Sequence, residues 1–114
     1  MATAEVDERE IGRARLRGAV AIFAGEDYLH VRPLGDGRAV YLLPMFGGNL
    51  RLAIGAHGAS WFDDGWCYQA EQNDLAWKAA LGWDGEGEPE GWYRHPDTGR
   101  RRPGGDASKE VRYW

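Results

Sequence analysis

The sequence predicts an α+β domain: a mainly antiparallel sheet of four to six strands with one short helix packed on one face. Three observations carry this expectation. Two β-rich runs flank the Gly35-Asp36-Gly37 connection, which is a hairpin signal. The 17 glycines imply many turns and few long helices. One segment, near residues 69–81, is rich in good helix formers and meets a stop at Gly82.

The elements follow in order. Residues 1–10 are charged and open to disorder. Residues 11–23 alternate over their first half: Arg13, Arg15 and Arg17 interleave with Ala14 and Leu16. Period two favours a strand from Arg13 onward, with the three arginines on one face. The competing reading is a charged helix from about Val6, with Glu5 and Arg9 paired at i,i+4. The run Tyr28–Met45 supplies the hairpin, and Pro33 makes its first strand an edge or an early stop. The stretch from Asn49 to Gly55 reads as a further strand. Residues 59–69 read as another, broken by Asp63-Asp64-Gly65.

In the helix, Asn73 or Asp74 is a candidate N-cap. The stretch 84–91 alternates acids with Gly and Pro and is a loop. After it, Pro96 to Gly99 make a plausible turn. If that turn closes a hairpin, His95 faces Arg100, Arg94 faces Arg101 and Tyr93 faces Arg102. Residues 84–106 are thus rich in loop and hairpin, and Lys109–Trp114 offers a last short strand. Val20, Ile22, Val31, Val40, Leu42, Leu52 and Ile54 would form the core with Leu75, Trp77 and Leu81.

The 114 residues suit one small domain. Six tryptophans are more than a core of this size hides, so one or two are expected at the surface. The single cysteine, Cys67, fits a reducing compartment. The N-terminus lacks the pattern of a signal peptide, and no apolar run is long enough for a membrane span. The expected location is therefore the cytoplasm, with no membrane partner.

Charge is distributed unevenly. Residues 1–62 hold seven basic and seven acidic side chains. Residues 63–91 hold eight acids and Lys78 alone. Residues 92–114 hold six basic and three acidic side chains. Such polarity steers charged partners.

Chemistry is sparsely indicated. Cys67 and His57 would have to meet to form a nucleophile–base pair. A lone cysteine between Trp66 and Tyr68 is more often a small buried hydrophobe. Asp63 and Asp64 with Glu71 or Asp74 are a weak acid pair or hard-cation site, since adjacent side chains on a strand diverge. His30, His57 and His95 lack zinc-ligand spacing. The glycine turns lack the phosphate-cradling patterns. No catalytic residue, metal or cofactor is expected.

The sharpest binding candidate is the segment holding Trp92, Tyr93, Arg94, His95, Arg100, Arg101 and Arg102. Arginines contact phosphate and aromatics stack on bases, so single-stranded nucleic acid fits, as does an acidic protein face. The bland alternative pairs these arginines with Glu86, Glu88 and Glu90 just upstream, contacts each worth about 0–1 kcal/mol. The net charge of −4 weighs against general nucleic-acid binding. The acids from Asp63 to Glu90, gathered on one surface, would imitate a phosphate backbone and occupy a basic groove on another protein. Their bland reading is a solvated face that aids solubility.

Three stretches, Asp64–Tyr68, Gly82–Asp106 and the ending Glu110–Trp114, resemble short proteins of unknown function in phages and prophages of proteobacteria. The resemblance covers less than half of the chain. It implies a small accessory protein acting on host machinery and carries over no catalytic residue. Residues and resemblance together lead to a non-catalytic protein that binds a host protein, one handling nucleic acid or defence. The alternative is direct nucleic-acid binding through Trp92–Arg102.

Overall fold

A computed structural model of the chain describes residues 7–58, 61–94 and 101–103. The fold is α+β, with an open four-stranded antiparallel sheet and two helices. The strands are β1 (His30–Pro33), β2 (Arg38–Pro44), β3 (Leu50–Ala56) and β4 (Asp64–Tyr68), in the spatial order β1-β2-β3-β4. Each strand is followed by its neighbour, so the sheet is a meander built from local turns.

The first segment corrects the sequence expectation. Residues Glu8–Phe23 form a helix, α1, where period-two alternation predicts a strand from Arg13 onward. Its ends explain why. The Asp7 carboxylate accepts a hydrogen bond from the Arg9 N–H at 2.7 Å, and Glu8 and Glu10 lie in the first turn. At the other end Glu26 N–H donates to the Ala21 carbonyl and Gly25 N–H to that of Ile22. Gly25, at φ 92°, closes this Schellman motif. The buried residues Ile11, Ala14 and Gly18 share one helical face. Helical geometry keeps Arg13 and Arg17, at i and i+4, on one side and turns Arg15 to the other, so the three do not share a face. Val20, expected in the core, is consequently exposed, and Ile22 is only half-buried. Glu8, Arg9 and Glu10 belong to this helix rather than to a disordered start.

The hairpin forms as expected, with Pro33 ending the edge strand β1. Val31 faces outward from β1 and is 37% exposed, so it too leaves the predicted core. The β4 strand begins at Asp64 instead of being broken there. The second helix, α2 (Asn73–Gly82), follows a short 3-10 turn over Ala70–Gln72. Neither Asn73 nor Asp74 caps it. Gln69 and Gln72 instead form a reciprocal capping pair before the 3-10 turn.

The two faces of the sheet differ. Val40, Leu42, Leu52, Ile54, Trp66 and Tyr68 join Ile11, Ala14, Trp77 and Trp83 in the main core beneath the helices. Leu75 and Leu81 pack at its margin. On the other face Ala39, Tyr41 and Ala53 carry a smaller cluster with Tyr28, Leu43 and Phe62. The segment Trp61–Asp63 crosses β3 there so closely that a Cβ on Gly55 would lie 3.1 Å from the Trp61 carbonyl oxygen.

Arg32 locks helix to sheet. It reaches from β1 to the C-terminal end of α2, where Nε donates to the Ala80 carbonyl at 2.8 Å. Its Nη2 donates to the Trp83 carbonyl and, at 3.4 Å, to that of Ala79. The last turn of α2 carries no basic residue of its own. Arg32 supplies the cation that the negative end of the helix dipole favours.

Beyond α2, residues 84–91 form an irregular loop, and β5 (Trp92–Arg94) pairs antiparallel with β6 (Arg101–Pro103). The register sets Tyr93 opposite Arg102 and Arg94 opposite Arg101, as the turn chemistry predicts. The expected pairing of His95 with Arg100, and the strand expected at Lys109–Trp114, lie outside the described residues.

Candidate functional site: an acidic end of the sheet

At one end of the sheet, three separated segments converge. The β1–β2 turn brings Asp36 and Arg38. The approach to β4 brings Asp63 and Asp64. The loop after α2 brings Asp84, Glu86 and Glu88. These segments carry six carboxylates and one guanidinium. Between them lies a cavity of about 320 Å³ lined by Arg38, Ile54, Asp63, Asp64, Trp66, Trp83, Gly85, Gly87 and Glu88. That volume is at the small end of the range for ligand clefts, about 300–1,000 Å³.

The loop is held in place by its own polar groups. The Asp84 carboxylate accepts from the Glu86 N–H at 2.9 Å. The Glu86 carbonyl accepts from Trp83 Nε1 at 3.1 Å. The Glu88 carboxylate accepts from Trp66 Nε1 at 3.2 Å. The Glu90 carbonyl accepts from the Tyr68 hydroxyl at 2.6 Å. Trp66 and Trp83 meet edge to face, with ring centroids 5.0 Å apart. Gly85, at φ 87°, allows the loop to pass over Leu34: a Cβ there would sit 2.8 Å from Leu34 Cδ1. Burial, followed by the charges of Glu90 and Glu88, pushes the Tyr68 phenol upward.

Arg38 balances part of this charge. Its Nε and Nη2 both donate to Asp36 Oδ2, at 2.9 and 2.7 Å, and Nη2 reaches Glu86 at 3.3 Å. Hydrogen bonds from Arg38 hold the Asp36 carboxyl below its ordinary range. Hydrogen bonding to Asp36 raises the Arg38 guanidinium.

The predicted site residues separate accordingly. Glu86 pairs with Arg38, where the sequence offered the arginine run as its partner. Glu88 is half-buried against Trp66, and Glu90 contributes its backbone. Trp92 packs partly buried against Tyr68, with ring centroids 6.3 Å apart, instead of standing free for base stacking. Tyr93, Arg94, Arg101 and Arg102 occupy the β5–β6 ladder. His95 and Arg100 lie outside the described residues.

The weak catalytic candidates do not assemble. Cys67 is exposed on β4, opposite Arg51 of β3. His57 lies six residues farther along the chain from Arg51, roughly 20 Å at the rise of a strand. Asp63 and Asp64 lie at the start of β4. Glu71 and Asp74 lie beyond its other end, where Asp74 pairs with Arg15 of α1. Among the described residues no group of three or more His, Cys, Asp or Glu side chains is placed to hold a metal ion. Among them, too, no helix is long and apolar enough to cross a membrane.

Sequence reasoning missed Arg38, Trp66 and Trp83 as parts of this site. The acidic run was visible, but the turn that brings Asp36 and Arg38 against it depends on strand order. Of the tryptophans, Trp61 is 67% exposed, which meets the expectation of a surface indole. Compared with known proteins, the chain matches no family model, no curated protein and no solved structure.

Proposed function

We propose that the chain is a non-catalytic accessory protein that docks on a basic surface of another protein through its acidic end. The observation that supports this most is the convergence, at one end of the sheet, of three segments that bring six carboxylates, three of which, Asp63, Asp64 and Glu88, line a cavity together with Trp66 and Trp83. A partner's arginine or lysine fits this chemistry, because the carboxylates attract its cation. Spaced carboxylates also resemble a phosphate backbone, which favours a partner that handles nucleic acid. The resemblance to phage and prophage proteins makes a host protein, including defence machinery, the class to search.

The test compares tagged wild type with Asp63→Lys/Glu86→Lys in a pull-down from host lysate. Both side chains are largely solvent-facing, so the variant should fold. Capture of a basic protein by wild type, lost in the variant and weakened by salt, is the expected outcome. Equal capture by both would remove the acidic end from the account.

Direct nucleic-acid binding through Trp92–Arg102 is the second reading. The register of Arg94 opposite Arg101 favours it, because it sets two arginine positions side by side on one ladder. It calls for binding that falls steeply with salt and is lost in an Arg100/Arg101/Arg102→Ala variant.

A further inference from the structure

We propose that the groove between α1 and α2 binds a small zwitterion, a free α-amino acid with a compact apolar side chain. This site shares no residue with the acidic end. It is a cavity of about 230 Å³ lined by Glu8, Ile11, Gly12 and Arg15 of α1 and by Asp74 and Lys78 of α2. The four α1 residues stand at i, i+3, i+4 and i+7 and so share one helical face. Asp74 and Lys78 stand one turn apart on α2. The volume lies below the range of about 300–1,000 Å³ typical of ligand clefts, which keeps the occupant small.

Charge sets the class of that occupant. The cavity carries two cations and two carboxylates, so it is neutral as a whole. Arg15 and Asp74 satisfy each other through an ion pair that bridges the two helices. Lys78 and Glu8 remain. Among the described residues neither of these side chains has an ion pair or a hydrogen bond. Lys78 is half-buried, and Asp74, one turn before it, is taken by Arg15. A cation partly withdrawn from water and without a counter-charge favours an incoming carboxylate. Exposed Glu8 favours an ammonium group. Of the other charges at the start of α1, Asp7 is paired with Arg9, and Glu10 does not line the cavity. A simple anion would meet Glu8 and Asp74, and a simple cation would meet Lys78 and Arg15. A ligand carrying both charges satisfies both, and Ile11 supplies the apolar part of the lining.

Gly12 supports the same reading. Glycine inside a helix is disfavoured, and no close approach requires it here: a Cβ would meet nothing within 4 Å. The absent side chain leaves the cavity unfilled. The contact area is small and the charges are partly solvated, so the affinity is weak, about millimolar.

Titration of the isotope-labelled full chain with L-valine, followed by amide chemical shifts, tests this. Saturable shifts are expected at Glu8, Gly12 and Lys78. Isovalerate and isobutylamine keep only the carboxylate or only the ammonium of valine, and each should bind at least about tenfold more weakly. Lys78→Met and Glu8→Gln should each weaken valine binding about tenfold. Gly12→Leu fills the cavity and should abolish binding while its thermal midpoint stays at or above that of wild type, which separates a filled site from a damaged fold. No saturable shift with valine well beyond millimolar concentration overturns the proposal. So does isovalerate or isobutylamine binding as tightly as valine, and so does valine binding that survives Gly12→Leu or is undiminished in Lys78→Met.

Discussion

Replacing Arg32 by methionine isolates the contact that ties the edge strand β1 to the end of α2. Methionine keeps much of the aliphatic volume and removes the guanidinium. The 2.8 Å bond to Ala80 and the bond to Trp83 are lost; the 3.4 Å contact to Ala79 adds little. Hydrogen bonds involving a charged group contribute about 1.5–3 kcal/mol each. Against that gross gain stands the desolvation of the half-buried guanidinium, which lowers its pKa and is only partly opposed by the Asp84 charge. The substitution recovers that cost, and water can reach part of the vacated site. A net loss of about 2–3 kcal/mol remains, after the discount for partial exposure. For a domain of this size it lowers the thermal midpoint by roughly 10 °C. Urea denaturation followed by tryptophan fluorescence measures the free energy directly. Arg32→Lys retains the charge without the planar fork and should fall between wild type and Arg32→Met. If Arg32→Met is within about 0.5 kcal/mol of wild type, the contact is not a principal tie between sheet and helix.

Two further perturbations probe the fold. Burial, with the nearby charges of Arg17 and Arg32, lowers the His30 pKa below its ordinary 6.5. The folded state therefore binds the proton less readily than the unfolded chain. Stability should fall as pH drops below 6.5 toward the lowered folded pKa, and His30→Gln should flatten that dependence between about pH 7 and 5. An unchanged slope in the variant would remove His30 as its source. In α1, Gly12 faces open space, so Gly12→Ala should stabilise by about 0.5–1 kcal/mol. A Cβ on Gly18 would lie 3.0 Å from the Leu29 carbonyl oxygen and 3.1 Å from the Trp77 ring. Gly18→Val should therefore destabilise by about 1–3 kcal/mol through overpacking. Thermal melts of the two variants moving in the same direction would contradict this assignment of faces.

The sheet was largely legible because its signals are local. Gly35-Asp36-Gly37 fixed the first hairpin, and Val40, Leu42, Leu52 and Ile54 fell on the buried face by simple alternation. The β5–β6 register followed from turn chemistry in the same way. The first helix was misread because five residues alternated in period two, although Asp7, Glu10 and Gly25 already carried its start and stop signals. Its buried stripe is made of Ile11, Ala14 and Gly18, and two of these are too small to register as apolar positions. The acidic run was legible as charge, but its geometry was not. Asp36 and Arg38 join it only through the meander, and Glu88 turns inward because Trp66 presents an indole N–H to it.

The most direct test of the acidic end is a titration of the protein captured by wild type against three forms of the chain. Wild type and Arg100/Arg101/Arg102→Ala should bind it alike, and Asp63→Lys/Glu86→Lys should bind at least about tenfold more weakly, a difference of about 1.4 kcal/mol. Full affinity in the acidic-end variant, with loss in the arginine variant, would contradict the account and place binding on the β5–β6 hairpin.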